Sequence, residues 1–309
     1  MNKHIFTNFG LVHFALCALW LFPAYAEGEQ NGLKDIRPSV LAGSWYPGSR
    51  DTLATSIADH LSHVKPPQIN GKIKAIIVPH AGHRYSGQVA AHAYRLLEGS
   101  QFRRIILVGP SHRMRFEGIS VNPQSGYQTP LGIVPVDQTI ARTILNSGPH
   151  IRWIRRAHTH EHCLEIQLPF LQTVLNDFKI IPILMGQQDY TTCSRLANTL
   201  VQVIKNAEDT LILASSDLSH FHPYDRARIL DLEFIKHVKG FDPKGLAKDL
   251  STGKCEACGG GPVITTLLAA RKLKADQAIV LNYANSGDVT GDHRSVVGYM
   301  SAALISAHP

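Results

Sequence analysis

The sequence lacks internal repeats, low-complexity segments, blocks of like charge and linkers rich in proline, serine or glycine. With 44% hydrophobic and 18% charged residues, the composition excludes disordered and fibrous proteins and suits a body with a large core. The 309 residues are long enough for two domains, but α/β folds often reach this length as one. We therefore expect a single domain.

Signatures of nucleic-acid binding are also absent. The formal net charge is +7, but the basic residues are dispersed in pairs such as Arg103-Arg104, without aromatic residues between them. We therefore predict no nucleic-acid partner and interpret the charge as a solvated positive surface. An anionic small ligand drawn into a cleft is the alternative.

The chain has no apolar run long enough for a comfortable membrane span. Residues 9–23 are apolar but are interrupted by a glycine and a histidine, and a span needs about 20 residues. A basic residue precedes this run, and residues 24–26, Ala-Tyr-Ala, match the small-x-small cleavage pattern. We therefore predict a signal peptide over residues 1–26, a mature domain over residues 27–309 and no stable membrane anchor. The expected location is exported, with a bacterial periplasm as the simplest compartment.

Three short apolar runs each end in a residue with acid–base or metal-binding chemistry. The end residues are His80, His112 and Asp217, and the runs span residues 73–80, 104–112 and 210–217. Runs rich in isoleucine, valine and leucine are typical of buried parallel strands. Ligands bind beyond the carboxyl ends of the strands in open α/β sheets. We therefore expect the three residues to meet in one cleft.

Strands and helices alternate along the rest of the chain. Helices are predicted over residues 50–63, 87–97, 137–146, 161–175, 190–205, 223–237 and 261–273. Further strands are predicted over residues 178–185, 278–283 and 295–304. The short segments 118–122 and 132–137 flank a turn region and are expected to pair as an edge hairpin. The pattern predicts an α/β fold with a mostly parallel central sheet flanked by helices.

His80 and His112 are the main candidates for metal binding. Each closely follows a proline at a strand end, which stiffens the exit of the chain. A lone histidine in such a place is more often structural. Two at equivalent strand ends instead favour a metal site, because neutral imidazole is a common donor to borderline metals.

The segment from Ser215 to His222 is the densest polar patch at any predicted strand end. We interpret Asp217 and His220 as a catalytic carboxylate–imidazole pair, with His220 as the base. Metal binding, or support of a metal ligand, is an alternative role for both. A structural alternative is that Asp217 caps the following helix.

Two carboxylates flank a histidine in Glu161-His162-x-x-Glu165. The zinc-helix signature, with two histidines four residues apart and a glutamate after the first, is absent. His158, His160 and His162 are candidates for loose binding of copper or zinc, and Glu161, Glu165 or both for a place in the cleft. The alternatives for the glutamates are helix capping and support of metal ligands.

Four cysteines follow the predicted signal. Cys163 and Cys193 lie in predicted helices and are expected to pack as small apolar residues. Cys255 and Cys258 precede a glycine-rich turn, where a thiol is suited to metal binding or disulfide exchange. Because a second Cys-x-x-Cys pair is absent, the pattern gives only weak support to a structural zinc site.

The order of these motifs resembles the Memo family, whose bacterial members are called AmmeMemoRadiSam system protein B. The resemblance extends from residue 37 to residue 304 and covers nearly all of the mature chain. It rests on Arg37-Pro38-x-Val40-Leu41-Ala42-Gly43-x-Trp45-Tyr46-Pro47, Pro79-His80-Ala81-Gly82, Gly109-Pro110-Ser111-His112, Tyr127-x-Thr129-Pro130-Leu131-Gly132, Glu161-His162-x-x-Glu165, Ser215-Ser216-Asp217-x-x-His220 and Ala257-Cys258-Gly259-x-x-Pro262.

This resemblance implies a fold similar to the class III, LigB-type extradiol dioxygenases. It also implies that His80, His112 and Cys258 are the metal ligands, with Asp217 and His220 beside them. An extradiol site uses two histidines and a carboxylate, so a cysteine as third donor departs from that pattern. A thiolate shifts preference toward softer ions, and iron or copper is therefore the expected cofactor.

Two functions follow from the residues and the resemblance. The first is a mononuclear iron or copper redox protein of a dioxygenase-like kind, in which His220 moves protons and Asp217 orients it. The second is a non-enzymatic protein that uses the same vestibule to bind a metal ion, a peptide or another ligand. A metal-dependent hydrolase is a weaker third. The expected partner is a small-molecule or peptide ligand in the strand-end cleft.

Overall fold

A computed structural model of the protein describes residues 34–204 and 208–307. The predicted signal peptide, residues 1–26, lies outside these ranges. Within them, none of the helices combines the length and the apolarity that a membrane span requires.

Strands and helices alternate in the described ranges. The strands are β1 (Ile36–Arg37), β2 (Lys72–Val78), β3 (Arg104–Pro110), β4 (Ile119–Val121), β5 (Gly126–Thr129), β6 (Gly132–Pro135), β7 (Ile151–Arg152), β8 (Lys179–Met185), β9 (Thr210–Ser215), β10 (His220–His222), β11 (Gln277–Asn285) and β12 (Val296–Ser306). The helices are α1 (Arg50–Ser62), α2 (His83–Arg95), α3 (Gln138–Leu145), α4 (Arg155–Thr159), α5 (Leu168–Val174), α6 (Tyr190–Ile204), α7 (Tyr224–Lys239), α8 (Pro243–Ser251), α9 (Gly260–Lys272) and α10 (Ser286–Thr290).

Four central strands form the parallel part of the main sheet, in the order β2, β9, β3 and β8. The four successive residues from Ala75 to Val78 are all fully buried. Because neighbouring side chains of a strand point to opposite faces, both faces of the sheet must be covered. The strands predicted before His80, His112 and Asp217 are confirmed as neighbours, and their carboxyl ends lie side by side.

Antiparallel pairs flank this parallel centre on both sides, although β7 at one end runs parallel to β4, so the sheet is mixed and the prediction of a mostly parallel sheet is wrong in this respect. β12 forms antiparallel ladders with β2, β10 and β11, and β4 runs antiparallel to β8. Only residues 286–295 join β11 to β12, whereas a parallel crossover needs a dozen or more residues. The short connection therefore requires β11 and β12 to be antiparallel. Among the described residues, the order is β10-β12-β2-β9-β3-β8-β4-β7, with β11 beside β12.

A separate small sheet contains β1, β5 and β6. The predicted pairing of residues 118–122 with residues 132–137 is wrong, since β4 joins the main sheet and β6 pairs with β5. Only Pro130 and Leu131 separate β5 from β6, and closing such a short loop costs little conformational entropy. The nearer partner is therefore favoured.

Helices pack on both sides of the main sheet and confirm the α/β class. α1, α2 and α5 pack together, α6 and α8 pack against α9, and both α2 and α9 contact β2. α8 was not predicted, although Asp242 caps its first turn and Pro243 occupies a favourable first position. The result for the described residues is one domain with a mixed sheet between helices.

The predicted helix over residues 161–175 is shorter in the structure. A 3-10 turn begins at Glu165, and α5 follows from Leu168. The carboxylate of Glu161 accepts hydrogen bonds from the backbone NH groups of His162 and Cys163, at 2.9 and 3.3 Å. Local bonds of this kind compete with the helical ladder. The first residues of the segment therefore stay irregular and reach the strand ends of the sheet.

Candidate metal centre

His80 lies two residues beyond β2 and is 2% exposed. Its backbone NH donates to Oδ1 of Asp217 at 2.6 Å, and its Nδ1 lies 2.9 Å from Oγ of Ser215. The Ser215 hydroxyl already donates to the carbonyl oxygen of Cys163 at 2.7 Å, so it accepts from His80. The proton of His80 is therefore on Nδ1, and Nε2 keeps a free lone pair.

His112 lies just beyond β3 and has a side chain that is 26% exposed. The carboxylate of Glu161 accepts hydrogen bonds from its backbone NH at 2.6 Å and from its Nδ1 at 2.9 Å. Because a carboxylate can only accept, Nδ1 carries the proton and Nε2 is free. A carboxylate on the far nitrogen is the usual support of a metal-binding imidazole.

His162 completes a cluster of three imidazoles. One ring nitrogen each from His80, His112 and His162 lie within 4.8 Å of one another. The indole of Trp45 covers His162, with 4.5 Å between ring centroids. Imidazole nitrogens bind borderline metals at about 2.0–2.1 Å, so donors at this spacing suit one shared ion.

The polar groups of this imidazole cluster fit a metal ion. Burial, followed by the neighbouring His162 and His112, lowers the pKa of His80 well below its usual value and keeps the ring in its neutral, metal-binding form. Nδ1 of His162 lies 3.1 Å from Oε1 of Glu161, but the two are not aligned for a hydrogen bond. Among the described residues this buried nitrogen has no hydrogen-bond partner. Buried groups of this kind call for an unseen partner.

The three histidines that the sequence analysis grouped as loose ligands are separated in the structure. His158 is buried, and its ring nitrogens contact Oγ of Ser120 at 3.1 Å and the hydroxyl of Tyr127 at 3.3 Å. His160 is exposed. Only His162 reaches the strand ends, and its association with His80 and His112 was not predicted. The sole sequence signal was its position beside Glu161.

Glu161 remains ionised beneath the cluster. Its side chain is 1% exposed, and this burial raises its pKa. The hydrogen bond from His112 and the contact with His162 act in the opposite direction and together are stronger, so the pKa falls well below its usual range. Of the roles that the sequence left open for Glu161, support of a metal ligand agrees with this geometry.

We expect Glu161→Gln to lower metal affinity by about 10- to 100-fold, the usual cost of losing a carboxylate that supports a metal-binding histidine. The amide loses the negative charge that favours the Nδ1 proton of His112. Chelator-competition titration would measure the change. Glu117→Gln, at an exposed position after β3, is the matched control. Equal affinity in the two variants would remove Glu161 from this role.

Cys258 contacts the imidazole cluster from the loop before α9. Its Sγ lies 3.1 Å from Nε2 of His80, on the nitrogen that has the free lone pair. Burial, and then the charge of Asp217, raise the pKa of the Cys258 thiol, so without a metal it is a thiol that donates to His80. Cys255 is buried, and burial raises its pKa to about 12. Both cysteines are free thiols in this structure.

Asp217 and His220 lie at the same edge of the sheet but have separate partners. Asp217 accepts from the backbone NH of His80, whereas Nδ1 of His220 lies 2.8 Å from the carbonyl oxygen of Leu218. Burial raises the pKa of Asp217. The position of Asp217 fixes the start of the His80 loop, while His220 is oriented by its own backbone.

Glu165 belongs to the core. Its carboxylate is fully buried, and Oε2 lies 2.6 Å from Nη1 of Arg37, which is also buried. Oε1 accepts from the hydroxyls of Ser39 and Tyr46 at 2.7 and 2.8 Å. This network ties the N-terminal part of the described chain to the segment that carries His162. Both carboxylate oxygens of Glu165 have hydrogen-bond partners in this network, which explains the glutamate at the end of the Glu161-His162-x-x-Glu165 motif.

Two cavities meet at the imidazole cluster. The first has a volume of about 690 Å³ and reaches Trp45 and Tyr299, and the second has a volume of about 1090 Å³ and extends toward α8. His112, His220 and Phe221 line both. The strand-end cleft expected from the sequence thus has two arms, which meet at these three side chains.

Comparison with known proteins identifies the family. The model of the Memo-like protein family matches residues 37–303. A MEMO1 family protein of Methanothermobacter thermautotrophicus is 34% identical over 272 residues, covering 85% of this chain and 98% of that protein. Relatives from Methanosarcina barkeri and Sulfolobus acidocaldarius are 36% and 37% identical and cover 87% and 86% of this chain. These alignments cover 99% and 98% of the relatives.

A solved structure supports the fold. The crystal structure of an uncharacterized protein from Escherichia coli K12 matches with a TM-score of 0.51 at 13% sequence identity, covering 75% of this chain and all of that chain. Identity at this level concerns the fold alone, and the likeness to LigB-type dioxygenases stays a prediction. The family match and the archaeal relatives agree over the same part of the sequence. The chain therefore belongs to the Memo family.

Proposed function

We propose that this protein binds one iron or copper ion through His80, His112 and Cys258, beside His162, and uses it in dioxygenase-like redox chemistry. The observation that most supports this is the convergence of three imidazoles within 4.8 Å. Two of them have the proton on Nδ1, so the lone pair that a metal would use is on Nε2. When bound, the ion would supply electron transfer and activation of dioxygen.

The protein side chains would position the substrate and move its proton. Nδ1 of His220 donates to the carbonyl oxygen of Leu218, so its Nε2 is free to accept a proton. His220 lines both cavities, which suits a base that acts on a ligand in either. Asp217 would hold the backbone of His80, and Trp45 would shield His162 from water.

A second candidate is a non-enzymatic binding protein that uses the same cleft. The size of the smaller cavity, about 690 Å³, supports it, since small-molecule sites typically have volumes of about 300–1,000 Å³. Oxygen uptake by the iron- or copper-loaded protein, measured with a panel of catechols, separates the two functions. Substrate-dependent uptake that His220→Gln abolishes without loss of metal is the expected result. Binding of catechols without uptake would favour the second candidate.

The role of Cys258 has its own test. We expect Cys258→Ala to lower the copper affinity by more than about tenfold, because removal of the soft donor leaves only nitrogen ligands. Metal content after equilibration with Cu(I) would be measured by elemental analysis. Cys193→Ala, at a buried thiol outside the cluster, is the control. Equal copper content in both variants would leave His162 as the third donor.

A further inference from the structure

The larger cavity has the walls of a site for an apolar ligand. It extends from His112 and Cys258 toward α8 and α9 and has a volume of about 1090 Å³. Its apolar lining includes Leu218, Ala247, Leu250 and Ile264, together with the ring of Phe221. We call this cavity the α8 cleft. Apolar walls with a few polar groups are typical of small-molecule sites.

Two basic side chains of the α8 cleft have no acidic partner among the described residues. Lys244 and Lys248 are one helical turn apart on α8, are exposed and line the cleft. Neither forms an ion pair within the described part of the chain. Two acidic residues also line the cleft, but both have partners: Glu256 binds His222 at 2.8 Å, and Asp189 accepts hydrogen bonds at the start of α6.

Phe221 is held in an unfavourable conformation at the mouth of the cleft. Its φ is 61°, in the left-handed region, and its side chain is 75% exposed. A non-glycine residue in this conformation is strained, and an exposed phenyl ring gains little from burial to offset the strain. His220 and His222, on either side, are paired with β12. Such strain at a cavity mouth is typical of a ligand contact.

We propose that the α8 cleft binds an amphipathic carboxylate. The carboxylate would lie against Lys244 and Lys248, and the apolar body would pack on Leu218 and Phe221 with its far end near His112. An amphipathic carboxylate is then the substrate class of the proposed metal centre. Only the chemistry that follows binding rests on the proposed function. Anion binding requires no metal.

The test is calorimetric binding of octanoate to the full chain, with and without added metal, beside neutral octanamide as the uncharged analogue. We expect octanoate to bind at least tenfold more tightly than octanamide. The double variant Lys244→Glu/Lys248→Glu should weaken octanoate at least tenfold and leave octanamide unchanged. The control is Lys239→Glu/Lys272→Glu, which makes the same change in net charge at exposed positions outside the cleft.

Phe221→Asn provides an independent variant. Asparagine tolerates the left-handed region, so the free energy of unfolding should stay the same or rise, while octanoate affinity falls several-fold. A purely structural role for Phe221 would change the two quantities together. The proposal is overturned if octanoate and octanamide bind equally, or if both lysine pairs affect octanoate equally. If the metal-loaded protein binds octanoate as expected but takes up no oxygen with any substrate, the proposed metal chemistry is refuted and the carboxylate site is not.

Discussion

His80→Ala and His112→Ala are each expected to abolish stoichiometric binding of iron or copper. Each substitution removes an imidazole whose Nδ1 is held by Ser215 or Glu161 and whose Nε2 carries the lone pair that would bind the metal. Loss of a supporting group alone costs about 10- to 100-fold in metal affinity, so loss of a direct donor should cost more. Isothermal titration with Fe(II) and with Cu(I) would measure the effect, and circular dichroism would confirm the fold.

His160→Ala is the matched control for these variants, because His160 is an exposed histidine of the same region. It should bind both metals as tightly as the parent protein. His162→Ala distinguishes a three-imidazole site from a site of two histidines and Cys258. Full metal affinity in either His80→Ala or His112→Ala would show that the strand-end histidines are not ligands.

Arg37→Ala is expected to lower the free energy of unfolding by about 3–5 kcal/mol, the usual cost of leaving one member of a buried ion pair unpaired. The guanidinium donates to Glu165 at 2.6 Å and to the carbonyl oxygens of His158 and Glu161, each at 2.7 Å. Its loss would leave the buried carboxylate of Glu165 without its counter-charge. Urea denaturation would measure the change.

Arg155→Ala provides the comparison, because Arg155 pairs with Asp35 at 2.8 Å on the surface, where both side chains are at least half exposed. Exposed pairs contribute about 0.2–1 kcal/mol. Destabilisation of Arg37→Ala no greater than that of Arg155→Ala would refute the structural role of the buried network. Because the network also holds the segment that carries His162, we expect weaker metal binding in Arg37→Ala as well.

The sheet illustrates what sequence patterns reveal and what they leave open. Short runs of isoleucine, valine and leucine indicated the buried central strands, since a strand covered on both faces accepts apolar residues at successive positions. They also indicated that His80 and His112 lie together, because the carboxyl ends of neighbouring parallel strands share one edge. These runs suggested parallel neighbours throughout, and at the edges that was misleading, because a strand that is buried along its length can also pair antiparallel, as β12 does with β2.

The site shows the same division. The sequence by itself determined the family resemblance, the two strand-end histidines and the neighbourhood of Asp217. Only the tertiary structure decided that His162 joins His80 and His112. It likewise decided that Glu161 supports His112 and that Glu165 forms a buried ion pair with Arg37. These partners are 49 to 128 residues apart in the chain. Their contacts depend on the packing of an irregular loop against the sheet, which local propensity and residue spacing do not encode.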